Sequence, residues 1–199
     1  MEMTDILPCL RRYRVVLASA SPRRRELLAQ LGVEFDVRPM AGVDESYPAD
    51  MPADDVAGYI AGKKCRAYMD ALGDGEMVIT ADTVVVSHGM VLGKPADEEQ
   101  ARRMLRELSG HTHRVVTGVS VATKDKMIVR KAVTDVEFAE LTDDEIEYYV
   151  TRYRPMDKAG AYGIQEWIGC VGVRRIDGSY YNVMGLPLHV LYTMLKEFC

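Results

Sequence analysis

The sequence predicts a mixed α/β fold, and three features of its pattern indicate that class. Short β-branched runs alternate with helical segments early in the chain, which is typical of parallel strands joined by helices. Two long alternating runs then follow one another, as the strands of an antiparallel hairpin do. The 199 residues suffice for one compact domain, so both kinds of strand pairing are expected in one mixed sheet.

The first unit is predicted to be a strand, a tight turn and a helix. Residues 14–19 (RVVLAS) form a short apolar run that is typical of a buried strand. Ser21 and Pro22 suit the N-cap and the first turn of a helix, which Gly32 ends. A second strand is expected over residues 34–40.

The later elements are predicted from the same signals. Asp54 or Asp55 is the expected cap of the second helix, and His88-Gly89 is the expected turn between two strands. The predicted segments are a helix over 54–73, two strands over 77–95, a helix over 96–110, a hairpin over 113–123 and 127–141, a helix over 142–150 with a Thr142–Glu145 capping box, short strands over 170–185 and a final helix from about Pro187.

Charge and cysteine content exclude several classes of protein. The net charge of −5 argues against general nucleic-acid binding, although residues 11–25 hold six arginines and no acid. No apolar run approaches the ~20 residues of a membrane span, and no secretory signal is evident. The four cysteines lack CxxC spacing, so we expect reduced thiols without a zinc site. A soluble, cytoplasmic protein is the resulting prediction.

Three arginines follow Ser21-Pro22, where a helix normally favours acids. The positive end of the helix dipole disfavours cations by roughly 0.3–1 kcal/mol each. Arg23, Arg24 and Arg25 therefore indicate either an anion bound at the helix N-terminus or a solvated basic face.

Asp82 interrupts the apolar strand-like segment 77–86 (MVITADTVVV). Burying an ionised carboxylate is unfavourable by several kcal/mol unless a partner compensates it. Asp82 is therefore either a satisfied structural residue or part of a site that requires negative charge.

Residues of several segments together have the composition of a phosphate-hydrolysing site. Cations neutralise phosphate charge, and carboxylates hold a divalent cation such as Mg²⁺ and orient water. Lys64 could equally be one of a solvated lysine pair, and the GKP sequence at Lys94 a simple turn, since the Walker A spacing is absent. The candidates are Ser19, Arg23, Arg24, Asp44, Glu45, Lys64, Asp82 and Lys94.

The glycine-bearing segment 157–165 (DKAGAYGIQ) is a candidate ligand-binding loop. Small residues let a backbone approach a ligand closely, although a turn without a ligand explains them equally well. Gln165 can pair with the imide edge of uracil or thymine, but its amide can also flip to suit cytosine.

Seven motifs in this order make the chain resemble the Maf family of nucleoside triphosphate pyrophosphatases, historically called septum formation inhibitors. The resemblance covers residues 14–198, and the motifs are LASASPRRRELL, VDES, ADTVV, LGKP, LSGHTHRVVTGV, DKAGAYGIQ and GSYYNVMGLPL. It implies an elongated mixed β-sheet flanked by helices, with two lobes and a central cleft. Residues 1–13 would be an N-terminal extension to a single domain over 14–199.

The resemblance implies cleavage between the α- and β-phosphates of a nucleotide, with Mg²⁺ or possibly Mn²⁺ or Co²⁺ as cofactor. Asp82 would accept the proton of the attacking water, Lys94 would stabilise developing charge, and Asp82 and Glu45 would hold the metal. The residues implied to bind substrate are Ser19, Arg23, Arg24, Lys64, Thr83, Lys158 and Gln165.

Arg23, Thr83 and Gln165 agree with the subgroup that cleaves dTTP and UTP, whereas relatives that act on methylated guanine nucleotides tend to have Trp after SP and Glu at the Gln165 position. The resemblance also implies a homodimer with a house-cleaning role. Two alternatives stay open: hydrolysis of modified or noncanonical nucleotides, and a non-enzymatic regulator of cell division that binds nucleic acid or a protein partner.

Overall fold

The computed structural model describes residues 6–199 of the chain. The strands of this part form one mixed seven-stranded sheet. The first five residues, part of the predicted N-terminal extension, lie outside the described residues. The strands are β1 (Arg14–Leu17), β2 (Asp36–Val37), β3 (Glu76–Ser87), β4 (Met90–Leu92), β5 (Thr112–Ala122), β6 (Met127–Phe138) and β7 (Val173–Asp177). Their order is β2-β1-β3-β5-β6-β7, with β4 paired to β3. The predicted α/β class is confirmed.

Helices connect these strands, and the chain divides into two units. The helices are α1 (Pro22–Gln30), α2 (Ala53–Met69), α3 (Glu98–Leu108), α4 (Asp143–Tyr153), α5 (Trp167–Gly172), α6 (Tyr180–Met184) and α7 (Leu188–Lys196). Unit 1 contains the described residues up to Asp82, together with Thr117–Ala132 and Gly185–Cys199. Unit 2 contains Thr83–Val116 and Val133–Met184. None of the helices in the described part is long and apolar enough to cross a membrane.

In unit 1, α2 packs closely against the sheet. β1 pairs in parallel with both β2 and β3, as the early strand–helix alternation predicts. A side chain at Gly118 of β5 would lie 2.3 Å from the carbonyl oxygen of Ala57, so only glycine allows α2 to approach this closely. The buried hydroxyl of Thr80 donates a hydrogen bond of 2.8 Å to the Ala61 carbonyl, which fixes β3 against the helix.

In unit 2, β3 pairs with β4 and β6 pairs with β7, both antiparallel. The predicted His88-Gly89 turn is confirmed, with φ values of 47° and 78°. The buried core includes Leu105, Phe138 and Tyr149, contributed by α3, β6 and α4. The Thr142–Glu145 capping box is also confirmed, because Thr142 accepts from the Glu145 amide and the Glu145 carboxylate accepts from the Thr142 amide.

Three details differ from the sequence-based predictions. Pro52, rather than Asp54 or Asp55, occupies the N-cap of α2, and the two acids lie in the first turn, where they suit the helix dipole. The second strand is limited to Asp36–Val37. The region 170–185 contains one strand, β7, which lies between the two short helices α5 and α6. The prediction of several strands was wrong here because a short apolar run has the same pattern in a strand and in a helical turn.

The two ends of the chain are joined in unit 1. Cys9 forms a disulfide with Cys199, and the Arg12 guanidinium donates to the Phe198 carbonyl oxygen at 2.5 Å. The expectation of four reduced thiols is therefore wrong for this pair, which lies 190 positions apart and has no local spacing signal. Cys65 and Cys170 are free.

Removing this cross-link should destabilise the protein. Closing so long a loop restricts the unfolded chain, so Cys199→Ser should lower the free energy of unfolding by about 2–5 kcal/mol. Urea denaturation without reductant measures the change, and Cys170→Ser, which alters an exposed free thiol, should leave stability unchanged. Equal stability of Cys199→Ser and the wild type would contradict a disulfide in the folded protein.

A buried histidine makes the stability of unit 2 depend on pH. His113 is 2% exposed and its Nε2 lies 2.8 Å from the Tyr162 hydroxyl, while its Nδ1 lacks a hydrogen-bond partner in the described structure. Burial lowers the pKa of His113 to about 4, because the charged ring would lose hydration. The folded state therefore favours neutral His113.

Stability should be full above pH 6.5, the ordinary pKa of histidine, and should fall as the pH drops toward 4. The unfolded state binds the proton first, and the loss from this residue is roughly 3 kcal/mol. Urea unfolding at pH 7 and pH 4.5 should show a smaller loss in His113→Phe than in the wild type, whereas exposed His88→Gln should retain the full loss. Equal losses in all three proteins would exclude His113 as the cause.

Candidate active site

A lysine and two carboxylates form the centre of a charged cluster in unit 1. The Lys64 ammonium lies 2.8 Å from Asp82 Oδ1 and 2.9 Å from Glu45 Oε1. The Lys64 and Asp82 side chains are 19% and 13% exposed, whereas Glu45 is 56% exposed. The carboxylate in the middle of β3 is thus paired, and it lies where the otherwise buried strand becomes half-buried.

Strand and helix periodicity bring Lys64 and Asp82 together. Thr80 and Asp82 are two residues apart in β3 and point to the same face of the sheet. Ala61 and Lys64 are three residues apart and share one face of α2. The hydrogen bond from Thr80 to Ala61 therefore sets the register that places the ammonium on the carboxylate.

Lys63 and Lys64 have different environments. Lys63 contacts Asp44 at 2.7 Å, and that carboxylate is 68% exposed. The hydrogen bond from Lys63, supported by Ser46, lowers the pKa of Asp44. The structure therefore separates a surface pair from the less exposed pair of Lys64 and Asp82, so Lys64 is not simply one of two solvated lysines.

Arg24 adds a second cation to the cluster. Its Nε donates to the Gly185 carbonyl oxygen at 2.8 Å, which anchors the guanidinium to the segment before α7. Burial lowers the pKa of Arg24, while the negative charge of Asp82 opposes that effect. Arg23 and Glu45 also influence Arg24 electrostatically, so these groups share one local field.

The turn before α1 is ordered by hydrogen bonds to two serine hydroxyls. The buried hydroxyl of Ser19 accepts from the Ser21 amide at 3.2 Å, and the Ser21 hydroxyl accepts from the Arg24 amide at 3.5 Å. Pro22 occupies the first turn, which contains no acid. A helix N-terminus with arginines and no acids is suited to an anion.

The remaining predicted residues lie in unit 2. Lys94 is exposed and follows Gly93, whose carbonyl oxygen accepts from the Gly160 amide at 3.0 Å. Thr83 is half-buried in β3, and Gln165 is exposed in the predicted loop. Lys158 is buried, and its ammonium lies 2.7 Å from Asp157 and 3.0 Å from Glu166. The substrate-binding roles of these residues stay predictions.

Sequence reasoning assigned no role to several residues that make specific tertiary contacts in the two units. Gly185 belongs to the quoted GSYYNVMGLPL motif, to which no role was assigned, and it anchors Arg24. Asn182 of the same motif is buried, and its amide donates to the Val115 carbonyl and the Thr134 hydroxyl, both at 2.9 Å. A polar residue within a quoted motif was the available signal. Tyr149 and Glu166 carried no comparable signal, because their contacts depend on the tertiary fold.

The fold and this cluster define an α/β protein with a cationic site that contains paired carboxylates. The family profile described as Maf-like protein matches residues 14–198, and the chain belongs to the Maf family. It is similar to proteins named dTTP/UTP pyrophosphatase from Phocaeicola vulgatus and Bacteroides fragilis, at 52% and 53% identity over 192 residues, which cover 96% of this chain and 100% of each relative.

More distant relatives extend the comparison. A protein of the same name from Porphyromonas gingivalis is 50% identical over 195 residues, covering 97% of this chain and 98% of the relative. Among solved structures, a HAM1 protein from Coxiella burnetii superposes with a TM-score of 0.50 at 17% identity, covering 93% of this chain and 99% of that one. That likeness concerns the fold alone.

The ion pair of Lys64 should contribute measurably to stability. Lys64→Met leaves two neighbouring carboxylates without their shared cation, so it should reduce the free energy of unfolding by about 1–3 kcal/mol. Lys63→Met removes a more exposed, solvent-screened pair and should lower the free energy of unfolding by less than Lys64→Met does. Urea denaturation compares the two variants, and equal losses would contradict the difference between their environments.

Proposed function

We propose that the protein is a nucleoside triphosphate pyrophosphatase that cleaves dTTP and UTP to the monophosphate and pyrophosphate. The observation that carries the proposal is the Lys64 ammonium held between Asp82 and Glu45 in the electrostatic field of Arg24. This reaction requires cations that neutralise the charge of the polyphosphate and a carboxylate that orients the attacking water. Relatives of about 50% identity carry the corresponding name.

In the proposed reaction, water attacks the α-phosphorus and Asp82 accepts its proton. Arg23, Arg24 and Lys64 bind the phosphates, and Lys94 stabilises the pyrophosphate as it leaves. Rigid support on β3 matters, because a displacement of about 1 Å from productive geometry can cost ~10²-fold in rate. Hydrolysis of unwanted nucleotides, including modified pyrimidine nucleotides, would give the enzyme a house-cleaning role.

The donor set near Lys64 fits a divalent cation held jointly with the substrate. Asp82 and Glu45 supply carboxylate oxygens, which Mg²⁺ prefers, and the described residues contain no group of three or more protein ligands. Phosphate oxygens of the substrate would complete the coordination. When bound, Mg²⁺, Mn²⁺ or Co²⁺ would neutralise phosphate charge and polarise the reacting phosphoryl group.

We further propose a homodimer in the cytoplasm, where nucleoside triphosphates are used. Sedimentation analysis of the purified protein reports its mass in solution.

Because disulfides are rare in the cytoplasm, trapping thiols at the moment of cell lysis would reveal whether Cys9 and Cys199 are oxidised there.

Pyrophosphate release from a nucleotide panel tests the proposal. The wild type with Mg²⁺ should act on dTTP and UTP in preference to CTP, GTP and 7-methyl-GTP, and EDTA should abolish release. Asp82→Asn should lower kcat by ~10²–10⁴-fold, since it removes the general base. Asp74→Asn is the matched control, because Asp74 is an exposed carboxylate that pairs with Lys124 rather than with a residue of the cluster, and this variant should stay active.

Each outcome has a defined meaning. A preference for 7-methyl-GTP would reject the dTTP/UTP assignment, and faster turnover of modified pyrimidine nucleotides would make the canonical triphosphates surrogate substrates. Unchanged turnover in a folded Asp82→Asn protein would contradict the role of that carboxylate. Salt-dependent nucleic-acid binding without any turnover would favour a regulator.

A further inference from the structure

The loop that carries Gln165 is held by a buried ion pair. Lys158 is 9% exposed at its side chain, and its ammonium lies 3.0 Å from Glu166 Oε1 and 2.7 Å from Asp157 Oδ1. Glu166 is 19% exposed and immediately follows Gln165. The two ends of the segment 158–166 are therefore joined by a strong, partly desolvated charge interaction.

Tyr149 of α4 locks the same loop from the core side. Its hydroxyl donates to Glu166 Oε2 and accepts from the Gly163 amide at 3.0 Å. Tyr149 is fully buried, and burial together with the Glu166 hydrogen bond raises its pKa, so the phenol remains a proton donor at neutral pH. Its ring stacks on Tyr153 at 5.1 Å between centroids, which fixes its direction.

Two glycines make this arrangement sterically possible. A side chain at Gly163 would lie 3.0 Å from both Lys158 Cε and Glu166 Cδ, so the ion pair closes directly over the backbone. Gly160 has a φ of 68°, and a side chain there would lie 2.8 Å from Val85. The Gly160 amide also donates to the carbonyl of Gly93, the residue before Lys94.

The result is a loop with a fixed backbone and one exposed amide side chain. Ile164 is buried, and the Glu166 amide donates to the Gly163 carbonyl at 3.0 Å, which encloses Gln165 in a tight turn. The Glu166 carbonyl in turn accepts from the Gly169 amide at 2.9 Å in α5. Gln165 is exposed between two anchored neighbours.

We propose that Tyr149 and Glu166 are positioning residues for base selection: they hold Lys158 and the backbone around Gln165, so that the Gln165 amide meets the pyrimidine edge in one orientation. This inference rests on the proposed pyrophosphatase function. Neither residue touches the reacting phosphates in this scheme, so their loss acts on binding and selectivity of the base more than on the chemical step.

Steady-state kinetics with dTTP and CTP tests the inference. Glu166→Gln and Tyr149→Phe should each raise KM for dTTP roughly tenfold, because a displaced recognition group weakens binding, while kcat changes less than about threefold. The ratio of kcat/KM for dTTP to that for CTP should fall. The double variant should resemble the worse single variant, since both act through one network.

Tyr148→Phe is the matched control. Tyr148 is the neighbouring residue of α4, but it is 45% exposed and its ring contacts Trp167 rather than Glu166. This variant should have wild-type kinetics. Suppose that Glu166→Gln and Tyr149→Phe lower kcat equally for dTTP and CTP and leave the ratio of the two kcat/KM values unchanged. The network would then act on stability alone, and the inference would be overturned. Wild-type kinetics in both variants would also overturn it.

Hydrogen exchange separates this inference from the proposed function. Amides of residues 158–166 should exchange faster in Glu166→Gln and Tyr149→Phe than in Tyr148→Phe, while β1 stays protected as evidence that the fold is intact. Unchanged exchange in the loop overturns the positioning role even if the enzyme is active. If the loop exchanges faster in the two variants but the wild-type protein cleaves no triphosphate, the proposed function is rejected, and the role in base selection is rejected with it.

Discussion

The shared ion pair of Lys64 is the interaction on which the candidate site depends. Asp82 and Glu45 both approach the ammonium to less than 3 Å, and Asp82 is mostly buried in β3. Two carboxylates this close would repel each other, and a desolvated one would be costly, without a cation between them. The contact also explains why an acid is stable in an apolar strand, since its charge is neutralised by a residue of the helix packed on that strand.

Packing in unit 1 determines where these charges lie. Gly118 lets α2 approach the sheet, Thr80 fixes the helix register, and Gly185 anchors Arg24 beside the same cluster. Each contact joins residues that are distant in sequence, and together they concentrate cations and carboxylates near the start of α1. A site of this composition is suited to a polyphosphate, because partly desolvated cations interact more strongly with phosphate charge than fully hydrated ones do.

Much of the fold followed from sequence pattern, because periodicity and capping are local signals. The strand–turn–helix unit at Ser21-Pro22 and the capping box at Thr142 were predicted correctly. The helices α5 and α6 were not, since their five or six residues are too few for a period to be distinguished. Residue type was enough to identify Arg24, Lys64 and Asp82 as candidates. It could not predict that Lys64 pairs with Asp82 instead of facing solvent, because that contact depends on the tertiary fold. The disulfide and the Tyr149–Glu166 contact were missed for the same reason.

A crystal structure with Mg²⁺ and a dTTP analogue whose α–β bridge is an uncleavable imido group tests the central claim most directly. The account predicts phosphate oxygens in contact with Arg24 and Lys64, with Asp82 within hydrogen-bond distance of a water in line with the α-phosphorus. A triphosphate bound away from these three side chains, with the Lys64 ion pairs undisturbed, would contradict it.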